Sequence, residues 1–69
     1  LSKNTIYIGY YKGKTEVEAV GLWHQGAWDV FLAENDVPNR DQHLFKATSL
    51  DEAYDHFYDW VDAHLPKAQ

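Results

Sequence analysis

Four aspartates, Asp51, Asp55, Asp59 and Asp62, recur near the end of the chain at spacings of four, four and three residues. On a helix those spacings gather side chains on one face, and Glu52 lies beside them. Like charges so placed destabilise a helix by roughly 0.2–0.5 kcal/mol per pair. Asp51 and Glu52 are offset by the positive end of the helix dipole, whereas Asp59 and Asp62 approach its negative end. No Lys or Arg lies between Lys46 and Lys67 to compensate. Helix stability therefore does not account for the stripe. The chemistry it offers is attraction to something basic. The expected partner is a cationic protein surface, including a nucleic-acid-binding cleft in which the carboxylates stand where phosphates would. The plain alternative is a solvated face that keeps a small acidic protein soluble. A fold that brings in Lys12, Lys14 or Lys46 would neutralise part of the stripe.

Other chemistry has weaker support. Glu52, His56 and Asp59 fall at i, i+4 and i+7, a spacing able to present metal ligands. A structural zinc site needs four ligands, however, and no His-Glu-x-x-His signature is present. The remaining histidines, His24, His43 and His64, are scattered. There is no cysteine, and of the two serines Ser49 is committed to helix capping. That leaves no activated nucleophile. Gly9, Gly13, Gly21 and Gly26 are isolated and form no phosphate-binding loop. The expectation is a protein with no catalytic site, metal or cofactor.

The elements that would position the stripe follow from periodicity. Residues 5–12 alternate as a strand, with Ile6, Ile8 and Tyr10 on one parity and Tyr7, Gly9 and Tyr11 on the other. Lys12-Gly13-Lys14 is a tight turn. A second strand is expected over 15–24, with a bulge or kink near Gly21 where the polar parity switches. After Gln25-Gly26, a third strand is expected over 27–34. Residues 35–42 are polar and rich in turn formers, so they read as a loop, followed by a short strand over 43–47. Ser49 and Glu52 form a capping box. The helix it opens is expected over 50–65, stopped by Pro66, with Leu50, Ala53, Tyr54, Phe57, Val61 and Leu65 facing the sheet. The fold class is α+β: an antiparallel meander of three or four strands with one C-terminal helix packed on one face.

One helix covers one face of such a sheet. Tyr7 and Tyr11 then point the other way, joined by some of Val20, Leu22 and Phe31. That face is a second candidate interface, for a partner or a homodimer.

The whole chain has 69 residues, which is one small domain, and a formal net charge of −5. Residues 49–69 alone contribute −4. The acidic balance argues against direct nucleic-acid binding, which relies on basic patches. No apolar run is long enough to span a bilayer, and no signal peptide is evident, so a cytoplasmic location without membrane contact is expected. The start at Leu1 suggests a trimmed or excised domain. Three Trp, five Tyr and three Phe supply large side chains for a small core.

The stretch Gly26-Ala-Trp-Asp-Val-Phe-Leu, a polar loop, and Leu44-Phe-Lys-Ala-Thr-Ser-Leu-Asp-Glu-Ala-Tyr54 is similar to the last strands and helix of AP2-type and integrase N-terminal DNA-binding domains. The resemblance covers about thirty residues. It implies a sheet followed by a capped helix. Those families read DNA with basic residues on the sheet, whereas Glu16, Glu18, Asp29 and Glu34 stand on the strands here. The leading expectation is therefore a non-enzymatic interaction module that binds a basic surface through its helix, in one version a nucleic-acid-mimicking inhibitor from a phage or mobile element. The alternatives are a DNA-binding module, which would need Lys12, Lys14, Arg40 and Lys46 on one face, and a homodimerising structural domain.

Overall fold

The computed structural model describes residues 4–64. It contains four strands, β1 (Thr5–Lys12), β2 (Thr15–His24), β3 (Ala27–Glu34) and β4 (Val37–Ala47), followed by the helix α1 (Leu50–His64). The strands form one antiparallel sheet in the order β1-β2-β3-β4, so each pairs with its neighbour in the chain. Two-residue turns make this meander. Gly13 opens the first with a φ of 66°. Gln25 and Gly26 in the second, and Asn35 and Asp36 in the third, are all at positive φ. Two successive positive-φ residues define the hairpin turn that matches strand twist, and Asn and Asp tolerate that conformation better than other residues with side chains.

The third turn corrects the sequence-based expectation of a loop over 35–42. Only Asn35 and Asp36 turn, and β4 starts at Val37. Its polar first half mimics a loop because β4 is an edge strand, where Pro38 and exposed polar residues are tolerated. The pairing of β4 with β3 shifts register between Val30 and Phe31 and again between Phe31 and Ala33. Within the bulged stretch the Asp41 amide donates to the Asn39 side-chain oxygen at 3.0 Å.

Gly21 is the second correction. No bulge occurs there: Gly21 pairs in unbroken register with Ile6 on one side and Val30 on the other. Its lack of a side chain admits Ile6, because a Cβ on Gly21 would lie 2.7 Å from Ile6 Cγ1. The parity switch in the sequence has another origin. Val20 and Leu22 stand on the face away from the helix, which carries its own apolar residues.

The main core lies between the sheet and α1. Ile8, Val17, Ala19, Trp28, Val30 and Ala47 from the strands meet Ala53, Phe57 and Val61 from the helix. Tyr54 packs partly buried against this cluster, as do Tyr58 and Trp60. Leu50, expected on the packed face, is 44% exposed at the first turn. Leu65 lies outside the described residues. The capping box is present with a variation. Ser49 Oγ accepts from the Glu52 amide at 3.1 Å, and Glu52 Oε1 accepts from the Thr48 amide, one residue before the cap, at 2.9 Å. No described helix is long and apolar enough to cross a membrane.

Candidate functional site

The fold divides the acidic stripe. Asp62 faces the β1 side of the helix. Its carboxylate accepts from the Tyr10 hydroxyl at 3.3 Å and pairs with Lys12 Nζ at 3.2 Å. Lys12 also donates to the Asp62 backbone oxygen at 3.2 Å. Tyr10 is held for this contact by Tyr58, whose ring centroid is 4.7 Å away. Asp62 is thus a tether between α1 and β1, and this replaces its expected place in a free partner-binding face. Glu52 is likewise engaged, in the cap. Asp51, Asp55 and Asp59 remain exposed and have no ion pair or hydrogen bond through their carboxylates among the described residues.

Beside Asp59 lies a feature that sequence reasoning missed. Leu44 and Phe45 of β4, with Trp60 and Ala63 of α1, line a shallow and mostly apolar groove of about 320 Å³. Asp59, His56 and His64 stand at its rim. The histidines brace its aromatics: His56 meets Phe45 edge-on at 5.6 Å, and His64 stacks on Trp60 at 4.8 Å with an interplanar angle of 15°. His64 Nδ1 also lies 3.0 Å from the Trp60 carbonyl oxygen. A carbonyl only accepts, so that contact places a proton on Nδ1. The available signal was Trp60 itself, a large aromatic about one-sixth of a turn from the centre of the buried Ala53, Phe57 and Val61 stripe and only partly buried. With Glu52 turned to the cap, the Glu52, His56 and Asp59 spacing does not converge. Among the described residues no group of three such side chains could hold a metal ion.

The opposite face of the sheet carries Tyr7 and Tyr11, 46% and 63% exposed. The sheet register places Tyr7, Val20, Phe31 and His43 in one cross-strand row. His43 meets Phe31 edge-on at 5.1 Å, and the guanidinium of Arg40 lies 5.4 Å over the same ring. This small cover leaves Val20 1% exposed without any helix on that side. Asp29 holds His43 at 3.3 Å and lies 3.9 Å from Lys46. Tyr7 and Gly9 also border a hollow of about 270 Å³ edged by Glu16, Glu18 and Asp36.

The cations that a DNA-binding sheet would need are dispersed. Lys12 is bound to the helix, whereas Arg40 and Lys46 lie on the far side of the sheet. Comparison with protein-family models, curated proteins and solved structures finds no match to this chain.

Proposed function

We propose that the protein is a non-enzymatic interaction module. It docks a basic segment of a partner protein along α1, with an apolar anchor of that segment seated in the groove beside Trp60. The observation that carries this reading is the pairing of two features at one place. Asp51, Asp55 and Asp59 lack any compensating cation among the described residues, and the last of them borders a groove lined by Leu44, Phe45, Trp60 and Ala63. Apolar contact supplies affinity, and the carboxylates select the charge of the ligand.

The test is an NMR titration with a lysine-rich peptide carrying one Phe, against a glutamate-rich peptide with the same Phe. The basic peptide should shift the Trp60 indole and the Asp59 and Ala63 amides. The variant carrying Asp51→Asn, Asp55→Asn and Asp59→Asn should bind about tenfold more weakly, and the wild type should weaken as salt rises. Equal shifts with both peptides, or unchanged affinity in the triple variant, would remove the reading.

A further inference from the structure

Two rows of α1 border the groove beside Trp60. His56, Trp60 and His64 follow one another at four-residue spacing, so they stand in line along the helix with the indole between the two imidazoles. Asp51, Asp55 and Asp59 form the adjacent row at the same spacing. Both histidines are exposed, and both touch aromatics that line the groove. His56 meets Phe45 at 5.6 Å, and His64 lies nearly flat on Trp60 at 4.8 Å. The Nδ1 proton of His64 is donated to the Trp60 carbonyl oxygen at 3.0 Å, which leaves Nε2 as the atom that takes up a second proton.

Histidine gains a positive charge between about pH 8 and pH 5, a range over which aspartate and lysine keep theirs. The groove has few other charges to mask that change. From β4 only Leu44 and Phe45 line it, and from α1 the titratable lining residues are His56, Asp59 and His64. Asp55 stands one turn before Asp59 on the same row. The titratable neighbours of Leu44 and Phe45 on β4, His43 and Lys46, lie at 3.3 Å and 3.9 Å from Asp29 on the opposite face of the sheet. With both imidazoles neutral, Asp55 and Asp59 dominate the rim. With both protonated, two cations offset the two carboxylates.

We propose that His56 and His64 set the charge selectivity of the groove. Neutral, they leave Asp55 and Asp59 free to attract a lysine-bearing segment. Protonated, they repel that segment. His56 also stands three residues before Asp59, so its imidazolium competes with the ligand for that carboxylate. Each histidine is about one helical turn, roughly 5.4 Å, from Trp60 along the axis, which is within the screening length of about 8 Å at physiological salt. A ligand whose apolar anchor sits beside Trp60 therefore meets both charges. The seat for the anchor is unchanged, and only the preference for the charge around it shifts. This inference rests on the docking reading above and adds its regulation by pH.

The test repeats the titration with the lysine-rich peptide carrying one Phe, at about pH 7.5 and about pH 5.5 and one ionic strength. A glutamine-rich peptide with the same Phe serves as the uncharged control. The basic peptide should bind about fivefold more weakly at the lower pH, while the control keeps its affinity within about twofold. The double variant His56→Gln with His64→Gln should bind the basic peptide alike at both pH values. Because His64→Gln removes a stacked ring, His56→Gln is also measured alone, and it should lose about half of the pH effect on a logarithmic scale. His43→Gln, on the other face of the sheet, should keep all of it. An affinity for the basic peptide that does not fall with pH overturns the proposal and leaves the docking reading in place. So does a fall shared equally by the glutamine-rich peptide, or a full fall retained in both histidine variants. Absence of binding by the basic peptide at either pH removes the docking reading and this proposal together.

Discussion

Asp59 and Asp62 sit three residues apart on one helix, and the fold treats them oppositely. The β1 flank of α1 is closed by polar contacts: Asp62 takes a hydroxyl from Tyr10 and an ammonium from Lys12. Among the described residues the β4 flank is open, with Asp59 bare at the rim of an apolar groove. The two carboxylates are chemically identical and experience the same unfavourable end of the helix dipole. What separates them is the register of the sheet beneath, which delivers a lysine to one side and only Leu44 and Phe45 to the other. A row of like charges in a sequence is therefore a mixture of tethers and free charges, and only the tertiary neighbours sort them.

The change that most severely breaks the contrast is Phe57→Ala. Phe57 is fully buried beneath the helix, and its truncation should cost about 3–5 kcal/mol by lost burial and cavity formation. Helix docking should fail on both flanks together, read as a collapse of the denaturation midpoint. If the Tyr10–Tyr58 contact survived it, the flanks would not share one core. Ser49→Ala acts on one end only. Losing the cap should cost about 1 kcal/mol and fray the first turn, raising hydrogen exchange near Asp51 while the Asp62 tether stays in place. The smallest effects sharpen the contrast most, because their signs differ. Asp62→Asn should lower stability by about 0.2–1 kcal/mol, the ordinary worth of an exposed pair. Asp59→Asn should raise it by about 0.2–0.5 kcal/mol, since it relieves repulsion with Asp55 and removes no partner. Thermal melts of the two variants measured side by side would decide the matter, and equal signs would contradict the division.

Local patterns were legible where backbone and side chain agree. The alternation through Ile6, Ile8 and Tyr10, the turn at Gly13 and the Ser49–Glu52 cap each specify an element from a few neighbouring residues, and all are present. The first half of β4 was not legible, because an edge strand with Pro38 and a bulge has the composition of a loop. Gly21 was misread for the converse reason. Its role is to leave room for Ile6, a residue from a different strand. The same limit applied to the site. That Asp51, Asp55 and Asp59 share a helix face follows from spacing alone, whereas the capture of Asp62 by Lys12 and the groove beside Trp60 depend on which strands border the helix.

The three two-residue turns also set the order of events when the chain folds. Every strand pairs with the next, so each hairpin can close independently, on a timescale of about 1–10 μs. The contact between Tyr10 and Asp62 spans 52 residues and requires the first strand and the helix to be in place together. Such a chain combines local hairpins with non-local contacts between the first strand and the helix, which places it with the mixed sheet-and-helix domains of intermediate folding speed.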